Sequence, residues 1–144
     1  MIQFEKFNPR DMKFNPVFKH QTRDPKVARN IDTWEKALCC KYYEKDFDAL
    51  QKYFAPNYRL CVSTGIQFRY DIPEERQMLI DSIKTTCCGF PDLRFTHHMF
   101  GEGDMVGNYF IIEGTHTGDY FDLAPTGKEV CVFGVAFTRF DAQG

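Results

Sequence analysis

The stretch Gly114-Thr115-His116-Thr117-Gly118-Asp119-Tyr120-Phe121-Asp122-Leu123-Ala124-Pro125-Thr126-Gly127-Lys128 lies between two runs of strand character, residues 105–113 and 129–140. The first run, Val106-Gly107-Asn108-Tyr109-Phe110-Ile111-Ile112, is β-branched and aromatic, as a pleated, half-buried surface prefers. The second, Val130-Cys131-Val132-Phe133-Gly134-Val135-Ala136-Phe137, is apolar at both parities and predicts a strand covered on both faces. Ala124-Pro125-Thr126-Gly127 predicts a turn, because proline presets φ at the second position and glycine suits the fourth. The whole is a long antiparallel hairpin whose connection exceeds the roughly two to five residues that a hairpin needs. Extra chain at a strand end, carrying a histidine between two glycines, can form the rim of a site. It can also be polar decoration of a long hairpin.

Working outward, the N-terminal half is helical. Asp24 is an N-cap and Pro25 takes the first helical position. Val27, Ile31, Trp34, Leu38 and Tyr42 then recur at helical spacing as one apolar stripe. Asp46 caps a short helix over residues 47–54, stopped by Pro56. Residues 58–63 alternate weakly as a short strand. Pro73 opens a third helix with Leu79, Ile83 and Cys87 on one face, and Gly89 and Pro91 end it. In the following strand Leu93, Phe95, His97 and Met99 share one face, with Arg94, Thr96 and His98 on the other. The order α-α-β-α-β-β-β predicts an α+β fold, a curved antiparallel sheet wrapped around helices.

Residues 1–23 stand apart. Lys6-Phe7-Asn8-Pro9 recurs as Lys13-Phe14-Asn15-Pro16, and Phe4, Phe7, Phe14 and Phe18 require cover. This reads as an extended arm lying on its own subunit or on a partner, ahead of one domain over residues 24–144.

Composition narrows the function classes. A net charge of -2 and pI of about 6.1 supply no field to attract nucleic acid or an anionic membrane. No run reaches the length of a membrane span, and the N-terminus lacks a signal peptide's apolar stretch. Fifteen phenylalanines and seven tyrosines can fill a core or line an apolar ligand cavity. The six cysteines include the vicinal pairs Cys39-Cys40 and Cys87-Cys88 and no Cys-x-x-Cys, so free thiols in a reducing cytosol are expected. Adjacent His97 and His98 cannot easily ligate one ion from a strand, and no other spacing suits a metal. No metal and no cofactor are expected.

Two histidines can carry chemistry. His97 shares a face with apolar neighbours and is either a hydrogen-bonded core residue or a catalyst. By alternation His116 shares a face with Phe110 and Ile112, and could look along an apolar wall as a general acid or base. Alternatively it is a backbone-bonded hairpin histidine held by the Gly114–Gly118 bend. Asp119 and Asp122 offer a second carboxylate, although aspartates at loop tips are commonly solvated turn formers. The expected catalytic set is His116, His97 and Asp119. Trp34, Tyr42 and Tyr58 from the first half, with Phe95, Phe110, Ile112 and Phe137 from the strands, are the expected pocket wall.

Gly-Thr-His-Thr-Gly at residues 114–118, Pro-Thr-Gly-Lys at 125–128 and the Gly134 strand ending in Arg139-Phe140 together resemble the SnoaL-like polyketide cyclases. Upstream, Phe54-Ala55-Pro56-Asn57-Tyr58 and Phe90-Pro91-Asp92-Leu93 fall in the matching order, so the resemblance covers roughly residues 25–144. It implies a cone-shaped fold of the nuclear transport factor 2 superfamily, with a hydrophobic ligand in the cone. One activity it implies is a cofactor-independent cyclase, isomerase or lyase; the other role is a non-catalytic binding or dimerisation module. In the family the acid-base aspartate sits in a further strand after a Gly-Lys-Ile-like turn. This chain reaches Asp141-Ala142-Gln143-Gly144 where that turn begins, so either the sequence is truncated there or that strand is missing. Ala136 stands where many relatives carry a polar residue. The open sheet edge and the aromatic content lead to the expectation of a homodimer.

Overall fold

The computed structural model describes residues 22–143. Helix α1, Pro25–Cys39, starts where Asp24 accepts the Lys26 amide at 2.8 Å. It runs into a π-helical turn, Cys40–Glu44, which Lys45 ends in the left-handed region at φ 54°. Asp46 accepts the Ala49 amide at 2.9 Å and opens α2, Phe47–Gln51, shorter than the 47–54 expected. Strand β1, Arg59–Cys61, pairs antiparallel with β2, Gln67–Arg69. Strand β2 is not legible in the sequence, because three residues are too few to establish a period. Helix α3, Pro73–Gly89, turns Leu79, Ile80, Ile83 and Cys87 inward. Then β3 (Arg94–Glu102), β4 (Met105–Thr115) and β5 (Glu129–Arg139) form an antiparallel meander in the order β3-β4-β5. The arm expected over residues 1–23 lies, but for its last two residues, outside the described residues.

Register decides what faces the helices. Phe95 pairs with Ile112, His97 with Phe110, Met99 with Asn108 and Gly101 with Val106. Ile112, Phe110, Asn108 and Val106 in turn pair with Val132, Gly134, Ala136 and Thr138. Side chains alternate along a strand, so these residues make up one face, here called inner. On it, Phe95, Met99 and Val106 pack with Val27, Ile31, Leu38 and Tyr42. The Tyr42 and Phe95 rings stack at 4.8 Å, and Tyr43 donates its hydroxyl to the Phe95 carbonyl at 2.8 Å. A second core gathers Ala37, Cys40, Leu50, Tyr70, Leu79 and Ile83 between α3 and the β1–β2 hairpin. Trp34 touches both.

Two local readings differ from expectation. The tight turn of the β4–β5 connection is at Tyr120–Leu123, which exchange amide and carbonyl bonds at 3.0 Å, with Phe121 at φ 49°. Pro125 and Thr126 instead run back toward β5, where the Gly127 amide donates to the His116 carbonyl at 2.8 Å. The apolar character of β5 at both parities also does not mean cover on both faces. Val132, Phe133, Val135 and Phe137 are about half exposed or more, up to 68% for Phe137, because β5 is the outer strand of its sheet among the described residues.

Candidate functional site

Helix α1 lies along β3. Val27 sits against Gly101, whose Cβ, if present, would be 2.8 Å from Val27 Cγ1, and Glu35 stands beside His97. Eight helical residues at about 1.5 Å and four strand residues at about 3.3 Å both span roughly 12–13 Å, so the two elements keep step. Asn30 therefore falls level with Met99, whose cross-strand partner is Asn108. Along this seam four buried polar groups have no hydrogen-bond partner among the described residues. They are both amide atoms of Asn30, Nε1 of Trp34, Nδ1 of His97 and Oδ1 of Asn108. Asn30 is 0% exposed and Asn108 1%. A buried polar group without a partner costs about 1–3 kcal/mol, and native proteins seldom leave several of them together.

His97 is the titratable member. Its Nε2 is 3.8 Å from Oε1 of Glu35, an ion-pair distance rather than a hydrogen bond. Burial pushes its pKa below 6.5, and the Glu35 carboxylate pulls in the opposite direction. The ring is thus neutral at pH 7 and can accept a proton.

His116 is elsewhere. It follows β4 on the inner parity, as alternation predicts, but six residues beyond Phe110, or about 20 Å along the strand. It is 5% exposed, its ring stacked on Phe90 at 5.1 Å with Tyr120 edge-on at 6.2 Å. Its Nδ1 lies 3.0 Å from the Thr126 hydroxyl, and its amide donates to the Lys128 carbonyl at 2.9 Å. These contacts pin the hairpin tip to the end of α3. Asp119 is exposed on the same tip and does not join His97.

The expected pocket wall divides. Tyr42, Phe95, Phe110 and Ile112 belong to the core beneath α1. Tyr58 belongs to the second core, stacked on Phe54 at 4.7 Å, where burial pushes its phenol up to about 12. Phe137 is on the outer face, since its partner Gly107 alternates with the inner Val106 and Asn108. Sequence reasoning missed Asn30, Glu35 and Asn108. Asn108 could have been found as the polar residue at inner parity between Val106 and Phe110. Glu35 reaches His97 only through the packing of α1 on β3, a contact that no sequence spacing encodes.

A hollow of about 180 Å³ opens at the other end of the sheet, lined by Asp92, Arg94, Glu113, Gly114, Thr115 and Glu129. Its lining is charged and polar, and Asp92 is occupied by the amide and hydroxyl of Thr115 at 2.7 and 2.8 Å. Those bonds, the amide first, hold its carboxyl below the usual range. Such a lining does not suit an apolar ligand. Among the described residues no group of three or more His, Cys, Asp or Glu could hold a metal ion, and no helix is long and apolar enough to cross a membrane.

Helices packed on one face of an antiparallel meander, with polar groups buried in the seam, make an α+β fold with a candidate internal site. Residues 32–143 match the family described as SnoaL-like polyketide cyclase, and the chain belongs to that family. No curated protein matches it. Among solved structures it is similar to AclR of Streptomyces galilaeus, assigned as a hydroxylase, at 20% identity and TM-score 0.65, covering 81% of this chain and 69% of that one. It is similar also to a protein of Jannaschia sp. CCS1 assigned as a SnoaL-like polyketide cyclase (19%, TM-score 0.64, covering 85% and 83%). IdmH of Streptomyces antibioticus, assigned as a polyketide cyclase, aligns at 19% and TM-score 0.62, covering 79% and 84%. At these identities the likeness is one of fold.

Proposed function

We propose that the seam between α1 and the inner faces of β3 and β4 binds a hydrophobic, carbonyl-bearing small molecule, and that His97 moves a proton next to its carbonyl. The observation that carries this reading is the row of unpartnered buried polar groups, Asn30, Trp34, His97 and Asn108, set among apolar side chains. Apolar walls with a few convergent polar groups are what a small-molecule site requires.

The chemistry follows from the groups. Neutral His97 takes the proton from the carbon beside the carbonyl, and the electron pair moves onto the carbonyl oxygen. Nε1 of Trp34 and Nδ2 of Asn30, one helical turn apart, are the N–H donors for the resulting enolate. The enolate carbon then attacks a second carbonyl of the same molecule, whose oxygen takes the proton back from the imidazolium, as in a cyclisation, or itself takes that proton at another position, as in an isomerisation. Glu35 stabilises the imidazolium in between. No electrons leave or enter, so no redox cofactor is called for.

A second reading, binding without turnover, is favoured by the 3.8 Å separation of His97 and Glu35, which is too long to orient the ring by a hydrogen bond. Either reading requires binding at the seam. Trp34 is the chain's only tryptophan, so its fluorescence reports on that place alone. Titration with benzoylacetone, an aromatic β-diketone, is expected to change Trp34 emission saturably. Emission that stays flat, while the same ligand binds by calorimetry, would put the site elsewhere.

A further inference from the structure

One buried acceptor of the seam has no part in the chemistry proposed above. The Asn108 amide oxygen is without a hydrogen-bond partner among the described residues, in a side chain 1% exposed. Its neighbours on the inner face bring no donor. Met99 lies directly across on β3 and Ala136 on β5, while Val106 and Phe110 are two residues away along β4. A thioether and three hydrocarbon side chains hold no N–H or O–H. Asn30 stands at the same level on α1, but both atoms of its amide are unpartnered too, so the two amides do not bond each other. A buried acceptor in this state destabilises the fold, and breaches of this kind are expected where a site serves function.

We infer that Oδ1 of Asn108 receives an O–H group of the ligand, so that the seam selects carbonyl compounds with a hydroxyl away from the reacting carbon. The inference rests on the seam being the binding site, as proposed above. His97 and Asn108 are diagonal neighbours on one sheet face, which sets their backbone positions about 7–8 Å apart. An aromatic ring on the carbonyl spans that gap. With the α-carbon at His97 and the carbonyl oxygen at Trp34, the para position of the ring reaches the level of Asn108.

The donor is neutral. Glu35, the carboxylate beside the seam, stands at His97. An unpaired ammonium among Val27, Met99 and Val106 would carry a large desolvation cost. A carbonyl or ether oxygen in the same place would set one acceptor against another. A hydroxyl meets the need with one hydrogen. Asn108 is therefore a residue that determines specificity, and no bond forms or breaks at it.

Three ligands test this by calorimetry, with the phenol kept protonated: benzoylacetone and its derivatives carrying a hydroxyl or a methyl group at the para position. The wild type is expected to bind the hydroxy compound on the order of tenfold more tightly than the methyl compound, which matches it in size and has no donor. Asn108→Leu keeps the shape of the amide and removes the acceptor, so that ratio should fall to about one or below. The melting temperature of ligand-free Asn108→Leu should not drop, because an orphaned polar atom gives way to an apolar one. A purely structural Asn108 would do the opposite, lowering the melting temperature and leaving the ratio as in the wild type. Should Asn108→Leu fail to fold, the wild-type ratio decides alone. Equal affinity of the wild type for the hydroxy and methyl compounds, both changing Trp34 emission saturably, would overturn this inference and leave the seam reading standing. A preference for the hydroxyl that survives in Asn108→Leu would overturn it as well. Trp34 emission unmoved by all three compounds would remove the seam reading and this inference with it.

Discussion

His97 and Glu35 face each other across the α1–β3 seam, Nε2 to Oε1 at 3.8 Å, and the pair joins the two halves of the fold. Burial and the carboxylate act on the ring in opposite directions, and burial prevails. The folded state therefore binds fewer protons than the unfolded chain between the lowered pKa and 6.5. Stability contributed by His97 is present above 6.5 and is lost as pH falls through that window. Thermal melts at about pH 8 and pH 5 should show a larger loss for the wild type than for His97→Gln. Glu35→Gln should enlarge the loss, because it removes the only group named here that favours the charged ring. Equal losses in all three proteins would mean that His97 is not desolvated.

His116 is expected to be a structural residue. His116→Ala removes the stack on Phe90 and the bond to Thr126, and should cost about 1–3 kcal/mol, seen as a melting temperature lower by several degrees. Ligand-induced change in Trp34 emission should survive in the protein that remains folded. Loss of that response with no change in melting temperature would return His116 to the site.

Gly118 holds the same tip down. A Cβ there would overlap the carbonyl oxygen of Cys88 at the end of α3, so Gly118→Ala must push the hairpin off the helix. Gly118 and Thr117 both donate to the Gly89 carbonyl at 3.1 Å, and those bonds would be strained together. A destabilisation of about 2 kcal/mol or more is expected, against about 1 kcal/mol for Gly65→Ala, where the only obstacle is a φ of +85°. Chemical denaturation of the two variants checks the order.

What the sequence reveals is local. Asp24-Pro25, Asp46 and Gly89 mark helix ends through bonds to their own neighbours, and the parity of Phe95, His97 and Met99 needs only the pleat of one strand. The α+β class follows from those signals together, whereas the family shows only in the resemblance of residues 114–118, 125–128 and the Gly134 strand. The rest depends on packing between distant segments. Glu35 meets His97 because α1 keeps step with β3, and Tyr58 leaves the expected wall because the β1–β2 hairpin packs on α3. His116 sits between two glycines on a long connection and shares parity with Phe110 and Ile112, but parity does not tell how far along a strand two residues lie.

His97 is the group proposed to move a proton beside a bound carbonyl. Its direct measure is the exchange of the α-carbon protons of benzoylacetone with deuterium oxide, followed by NMR near pH 7 with the protein at catalytic concentration. The wild type is expected to accelerate exchange, and His97→Gln to lose about 10²–10⁴ of that acceleration while still changing Trp34 emission on binding. Equal acceleration by wild type and His97→Gln would contradict the claim.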